Sequence, residues 1–199
     1  SFTEFTFDLL PSGANLFGVV ASGNSALLVI GEDPVVNAAG NYTNASDVIH
    51  TSQGGDGATI GVNNQMFDPG DGAYFTFIND PDPQFISGIP GGLDSTEADD
   101  SDNIQYNEDG IGPATKEVSS AFLGISQTQS NKPVAMSIEA FNMTGGPQDG
   151  AFLTALGQNH VNIIEVRVLN AAGTVIENSD GSVNAAGITI TFSGGETAK

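Results

Sequence analysis

The sequence predicts an all-β fold, a β-sandwich of about ten strands joined by long loops, with at most one or two short helices. Apolar residues recur mainly with a period of two, the spacing that places alternate side chains on one face of a strand. Most of these segments are short and end at Gly, Asn, Asp or Pro, which favour turns. No repeat of fixed length is visible, which argues against a solenoid or a propeller.

Each predicted strand depends on this alternation. Phe5, Phe7 and Leu9 alternate with polar residues, and Phe75 and Phe77 share one face of a later segment. The predicted strands are Phe5–Leu9, Leu16–Ala21, Ala26–Ile30, Ala58–Val62, Tyr74–Ile78, Ser120–Ile125, Val134–Ala140, Ile163–Leu169, Thr174–Glu177 and Ile188–Phe192. The helical candidate is Gln148–Gln158, where Asp149 can cap a short helix. We expect residues 1–199 to form one ligand-binding domain excised from a larger surface protein.

The charge of the chain restricts its partners. Asp and Glu number 24 against 4 Lys and Arg, which gives a formal charge of -20, and residues 1–115 contain no Lys or Arg. Binding a nucleic acid or an anionic membrane requires clustered cations, so neither partner is expected. Bound divalent cations would relieve the repulsion among the acids, and a saline habitat would screen it.

The sequence lacks both cysteine and a long apolar run, and each absence excludes a class of structure. The chain has no Cys, which excludes disulfides and thiolate metal sites. No apolar run approaches the ~20 residues of a membrane span, so we expect no direct contact with the membrane.

The longest stretch without strand pattern runs over residues 79–114 and holds most of the candidate chemistry. Seven acids fall between Asp94 and Asp109, with amides between them and no cation. Carboxylate and amide oxygens in a flexible loop suit Ca²⁺, which takes 6–8 oxygen ligands. The alternative is a solvated acidic loop without bound metal. The predicted metal ligands here are Asp94, Glu97, Asp99, Asp100, Asp102, Asn103, Glu108 and Asp109, and the predicted ligand-binding residues are Asp100, Asp102, Gln105 and Tyr106.

Shorter acidic turns recur beside predicted strands, at Gly55–Gly57, at Asp68 and Asp71, and at Asp80–Asp82. Asp, Pro and Gly are the ordinary residues of turns, and that alone explains each turn taken singly. Taken together they place acids at several strand ends, where two loops can share one ion. Asp68 and Asp71 are therefore added to the predicted metal ligands, and several Ca²⁺ ions are expected.

Catalytic patterns are missing from the sequence. His50 and His160 are the only histidines, and neither belongs to a catalytic triad or a zinc motif. A glycosidase would use paired carboxylates together with aromatic platforms for sugar, but the chain has no Trp and only three Tyr. We therefore expect a binding protein and no enzyme.

Four segments resemble modules of the giant calcium-dependent RTX adhesins of Gram-negative bacteria. They are GATIGVNNQMFDPG at Gly57–Gly70, YFTF at Tyr74–Phe77, NIIEVRVL at Asn162–Leu169 and GITITF at Gly187–Phe192. The length, the acid content, the acidic loop and the absence of Cys and Trp look most like the peptide-binding domain of such adhesins in marine bacteria.

The resemblance implies an extracellular domain at the bacterial cell surface, with a role in cell adhesion and biofilms. Its implied partners are the free C-terminal carboxylate end of host surface proteins or peptides, and neighbouring domains of the same adhesin. Two alternatives stay open: a calcium-dependent lectin, which would chelate sugar hydroxyls, and a structural extender domain. The long irregular stretch argues against a spacer.

Overall fold

The computed structural model describes a nearly all-β chain. The described residues are 2–10, 12–15, 17–32, 35–36, 38, 42–43, 47–54, 57–79, 116, 118–126, 134–141 and 160–192. They contain twelve short strands and a single turn of 3-10 helix at Phe7–Leu9. The strands are β1 Gly13–Asn15, β2 Phe17–Ser22, β3 Ser25–Gly31, β4 Val35–Val36, β5 Tyr42–Thr43, β6 Ile49–Gly54, β7 Gly57–Val62, β8 Ala73–Asn79, β9 Ala140–Phe141, β10 His160–Val161, β11 Arg167–Leu169 and β12 Val175–Asn178. The prediction of an all-β fold is confirmed.

The chain divides into two compact units. The first holds the described residues up to 134, and the second holds residues 135–141 and 160–192. The predicted helix at Gln148–Gln158 lies outside the described residues. Within the described part of the chain, no helix is long and apolar enough to cross a membrane.

The first unit contains two three-stranded antiparallel sheets, in the orders β2-β3-β8 and β1-β6-β7, and the separate pair β4-β5. β2 and β3 form a hairpin that turns at Gly23 and Asn24, with Ser22 paired to Ser25. β3 pairs with β8 on its other side, from Ser25 opposite Asn79 to Gly31 opposite Ala73. All seven residues of β3 are buried, as its continuous apolar run favours for a central strand.

Both three-stranded sheets contribute to one hydrophobic cluster. Val20, Leu27 and Val29 come from the β2-β3-β8 sheet, and Ile49 and Val62 come from the β1-β6-β7 sheet. Each of these side chains is at most 6% exposed. The cluster therefore contains side chains from both sheets.

The strand predicted at Phe5–Leu9 is wrong. Phe7–Leu9 is a 3-10 turn, and the Asp8 carboxylate accepts a hydrogen bond from the Ala58 N–H at 2.7 Å. Phe5 and Phe7 pack against the hydrophobic cluster, and the rings of Phe5 and Phe77 lie 6.4 Å apart. The alternating phenylalanines therefore pack on the core without pairing their backbone with a sheet.

Three further predicted strands are not strands in the structure. Ser120–Ile125 and Ile188–Phe192 form none, and Val134–Ala140 contributes only Ala140 to β9. Most of their apolar side chains are exposed, with Phe122 at 69% and Ile138 at 57%, although Ile190 and Phe192 are half-buried. Alternation produces an apolar face, but a strand also requires a neighbouring backbone, and that neighbour is distant in sequence.

The other predicted strands agree with the structure, with shifted ends. Of the predicted strand Ile163–Leu169, only Arg167–Leu169 is a strand. The structure also contains strands that the alternation does not indicate, at Gly13–Asn15, Val35–Val36, Tyr42–Thr43, Ile49–Gly54 and His160–Val161. In β6, Ile49–Gly54, most side chains are polar, yet Thr51 is only 1% exposed.

The second unit has two small antiparallel ladders, β9 with β10 and β11 with β12. His160 pairs with Phe141 in the first ladder. Arg167 pairs with Asn178 in the second, and the register shifts between Val168 and Leu169. Glu177 of β12 forms a further antiparallel bridge with Asn184.

Candidate functional site

The two ends of the acidic stretch meet at one edge of the β2-β3-β8 sheet. β8 ends at Asn79, and the backbone N–H of Lys116 donates to the Phe77 carbonyl at 2.7 Å. The Lys116 ammonium donates to the Ser25 hydroxyl, also at 2.7 Å. Ser25 is only 6% exposed and lies opposite Asn79 in the sheet. The chain therefore leaves the sheet and returns to it at the same place, with residues 80–115 between.

Lys116 also matters electrostatically, because it is the first cation in the chain. It follows the segment that carries seven acids, with residues 110–115 between it and Asp109. Its two hydrogen bonds hold its backbone to β8 and its side chain to the first residue of β3. Lys116 is therefore the nearest Lys or Arg in sequence to the acidic segment.

Most of the predicted site residues lie outside the described residues. These are Asp94, Glu97, Asp99, Asp100, Asp102, Asn103, Gln105, Tyr106, Glu108 and Asp109. Asp56, Asp80 and Asp82 of the shorter acidic turns do so as well. The assignment of metal and ligand contacts to them stays a prediction.

Asp68 and Asp71 are described, and the structure brings them together in one exposed turn between β7 and β8. The Asp71 N–H donates to the Asp68 carbonyl at 3.0 Å, and the Asp71 carboxylate accepts from the Asp68 N–H at 2.8 Å. The Asp68 carboxylate accepts from the side-chain amide of Asn64 at 2.7 Å. One oxygen of each carboxylate is therefore engaged in holding the turn, as ordinary turn chemistry requires.

The start of this turn is fixed by Asn63 and Gly61. Asn63 has a positive φ of 62°, and its side-chain amide donates to the Asp47 carboxylate at 3.1 Å. Its backbone N–H donates to the Val48 carbonyl at 2.8 Å. The turn then crosses so close to Gly61 that any Cβ there would meet the backbone of Asn64 and Met66. The Asp68–Asp71 turn is thereby held next to β6 and β7.

The sequence gives no indication that a third carboxylate, that of Glu32, comes close to this turn. The Glu32 N–H donates to the Gly72 carbonyl at 2.9 Å, and a Cβ on Gly72 would collide with the Glu32 carboxylate. Even so, no group of three or more His, Cys, Asp or Glu side chains in the described ranges is arranged to hold a metal ion. Two carboxylates fall short of the 6–8 oxygens that Ca²⁺ takes, so Asp68 and Asp71 would need ligands from elsewhere.

The second unit carries an acid- and amide-rich hairpin around β11 and β12. Arg167 holds the Glu165 carboxylate with two hydrogen bonds, of 2.8 and 2.9 Å. The Asn178 side-chain amide donates to Glu165 and to the Ser182 hydroxyl, at 3.3 Å each. The two strands were predicted from the sequence, but the hairpin was not predicted as a candidate site, although the run from Glu177 to Asn184 is rich in oxygen-bearing side chains.

Asp180 occupies the turn that follows β12, between Asn178 and Asn184. Its carboxylate accepts the Ser182 N–H at 2.8 Å. Hydrogen bonds from the Ser182 hydroxyl and then from the Ser182 N–H lower the pKa of Asp180, and the charge of Arg167 lowers it further. Asp180 is therefore ionised at neutral pH and stabilises the turn in that form.

The two histidines take different positions. His160 lies in β10, 3.8 Å from the Glu139 carboxylate, and its ring centroid is 4.6 Å from that of Phe141. His50 lies in β6, and its Nδ1 is buried without a hydrogen-bond partner in the described part of the chain. Both histidines therefore lie in strands, and His160 is exposed at the surface. Among the described residues, neither belongs to a group of three or more His, Cys, Asp or Glu that could hold a metal ion.

No protein-family model, no curated protein and no solved structure matches this chain.

Proposed function

We propose that this chain is a calcium-dependent cell-adhesion domain at a bacterial surface that binds the free C-terminal carboxylate end of host proteins. The observation that carries the proposal is the closed base of the acidic segment, where Lys116 bonds to Phe77 and to Ser25. A long loop whose ends are fixed on a buried sheet is a common form of binding site. The seven acids between Asp94 and Asp109 supply the oxygens for the ion.

A bound calcium ion explains how a strongly negative protein can bind an anionic ligand. The formal charge of -20 repels a peptide carboxylate. A Ca²⁺ ion that is only partly coordinated by the loop reverses the local field and has positions left for the carboxylate oxygens. Main-chain groups of the loop then bind the last residues of the peptide. The resemblance to the peptide-binding domains of RTX adhesins supports the same ligand.

We further propose that the first unit is a β-sandwich. The two three-stranded sheets share the cluster formed by Val20, Leu27, Val29, Ile49 and Val62. Aligned packing of two sheets around one such layer of apolar side chains is the arrangement of a sandwich. Loops at the end of a sandwich are positioned by its rigid sheets, which suits the acidic segment.

Calorimetry with one peptide in two forms tests the proposed ligand. The free-acid and the C-terminally amidated peptide are each titrated into the protein with Ca²⁺ and with EDTA. We expect tight binding only for the acid form with Ca²⁺, because the amide removes the charge that the ion attracts. Equal binding of both forms would indicate strand addition to a sheet edge, which depends on main-chain hydrogen bonds. Binding of simple sugars and of neither peptide would favour the lectin.

Substitutions locate the site. Asp100→Ala and Asp102→Ala each remove a predicted ligand of the ion, and we expect them to abolish binding of the acid peptide. The control is Glu4→Ala, which removes one negative charge from an exposed position. Asp8→Ala is unsuitable because the Asp8 carboxylate accepts a hydrogen bond from the Ala58 N–H. Wild-type affinity in both loop variants would exclude the loop and make the Asp68–Asp71 turn the next site to test.

A further inference from the structure

Glu177 is a buried carboxylate without a counter-charge among the residues that the structure describes. It is 4% exposed, and its Oε2 has no hydrogen-bond partner in the described part of the chain. Arg167 is the only Lys or Arg among the described residues of the second unit, and it is committed to Glu165. Burying a carboxylate without a partner is strongly unfavourable, so such groups are normally paired, protonated or bound to a metal.

Asn184 is placed to share a ligand with Glu177. The two residues are bridged as antiparallel partners, with hydrogen bonds from the Asn178 N–H to the Val183 carbonyl and from the Ala185 N–H to the Ile176 carbonyl. This pattern makes Glu177 and Asn184 a non-hydrogen-bonded pair, in which the two Cα atoms are about 4.5 Å apart and both side chains are on one face. Their oxygens can therefore reach the same ion.

The burial of the two residues indicates the direction of access. Asn184 is exposed, whereas Glu177 beside it is buried. Asn178, the next residue of β12, points to the opposite face and is engaged with Glu165 and Ser182. An ion would therefore reach the Glu177 carboxylate from the side of Asn184, without disturbing the Asn178 network.

We propose that Glu177 and Asn184 form a second cation site, separate from the acidic loop, that takes a hard ion such as Ca²⁺. The carboxylate supplies the charge, the Asn184 amide supplies a neutral oxygen, and water completes the coordination. A site with fewer charged ligands binds Ca²⁺ more weakly. With one carboxylate, we expect a dissociation constant of about 10⁻⁴–10⁻³ M. The site does not depend on the proposed peptide binding.

Nuclear magnetic resonance of the ¹⁵N-labelled full chain tests the site locally. Ca²⁺ is titrated over about 0.1–10 mM at constant ionic strength. This range covers the weak affinity expected, and tighter Ca²⁺ sites are already filled at its lower end. We expect the side-chain amide of Asn184 and the backbone amide of Ala185 to shift with a single binding curve. In Glu177→Gln the same resonances should respond with at least about tenfold weaker affinity, equivalent to 1.4 kcal/mol.

Glu165→Gln is the matched control. It removes the same charge from the same unit, but from a carboxylate that already has partners, so the Asn184 response should persist. An unmoved Asn184 amide in the wild-type chain overturns the proposal, as does an equal response in Glu177→Gln. If Glu177→Gln does not fold, Asn184→Ala is used in its place, and the backbone amide of Ala185 reports Ca²⁺ binding. An unchanged Ca²⁺ affinity in Asn184→Ala also overturns the proposal. Peptide binding measured on Glu177→Gln should equal that of the wild-type chain.

Discussion

Single side chains join distant parts of this molecule. Lys116 is 91 positions from Ser25 and bonds to its hydroxyl, while Asp8 is 50 positions from Ala58 and bonds to its N–H. Both contacts reach the beginning of a strand, because Ser25 is the first residue of β3 and Ala58 is the second residue of β7. The chain has only four Lys and Arg, and the Lys116 bond fixes one of these cations beside the end of β8, where the acidic segment begins.

Replacing Lys116 by Met tests the anchor of the acidic segment. The substitution keeps the aliphatic stem but leaves the buried Ser25 hydroxyl without its donor. We expect a loss of about 0.5–1.5 kcal/mol of stability and weaker peptide binding, measured by urea unfolding and calorimetry. Lys132→Met removes the same charge elsewhere and is the control. Equal affinity in both variants would show that the ammonium plays no part in ordering the site.

The pH dependence of Asp180 follows from its hydrogen bonds. Its folded pKa is lowered, so its stabilising contribution is present above the ordinary Asp value of about 3.9 and is lost as pH falls through the folded pKa. Asp180→Asn should therefore lack this part of the acid sensitivity below about pH 4. In Ser182→Ala, which removes the first cause of the shift, the Asp180 pKa measured by carboxyl resonance should rise. An unchanged value would contradict the assignment.

At the scale of elements, β3 is the central strand of the β2-β3-β8 sheet in the first unit. It pairs with a strand on each side, and Leu28, Val29 and Ile30 are fully buried. The described strands of the second unit are only two to four residues long. Buried apolar area is the main source of stability, so the first unit should be the more resistant of the two to local opening.

Two leucines of the first unit allow a buried position to be compared with an exposed one. Leu28 is 0% exposed in β3, whereas Leu123 is 52% exposed in a segment without strand pairing. Leu28→Ala should cost about 2–5 kcal/mol, through lost burial and the cavity left behind. Leu123→Ala should change the stability by about 0.5 kcal/mol or less. Comparable losses by urea unfolding would show that the segment around Leu123 is covered in solution.

At the scale of the whole molecule, the dominant fact is the formal charge of -20. Self-repulsion of this size opposes a compact state, and it is relieved by screening or by bound cations. The two mechanisms differ in their response to ion type. Screening depends on ionic strength alone, whereas a coordinated site requires a particular ion at low concentration.

Thermal unfolding distinguishes these mechanisms. With Ca²⁺ at a hundredfold excess over its dissociation constant, one site adds about 2.7 kcal/mol, and the midpoint should rise accordingly. NaCl at equal ionic strength is the control and should reproduce only the screening part. An unchanged midpoint between Ca²⁺ and EDTA in low-salt buffer would mean that calcium does not stabilise the fold.

The sequence by itself determined the all-β class and the strands whose side chains alternate and also pack, such as Ser25–Gly31 and Ala73–Asn79. It also determined where acids concentrate, because composition along the chain is a local property. Tertiary structure decided which alternating segments pair: Phe5–Leu9 packs as a 3-10 turn, and polar Ile49–Gly54 becomes a central strand.

Tertiary structure also decided how the candidate sites are built. Only the fold brings Lys116 to Ser25 and closes the base of the acidic segment, and only the fold buries Glu177 beside Asn184. The physical reason is that hydrogen bonds and burial depend on neighbours distant in sequence. Periodicity reports which face of a segment is apolar, but not which backbone will satisfy its N–H and C=O groups.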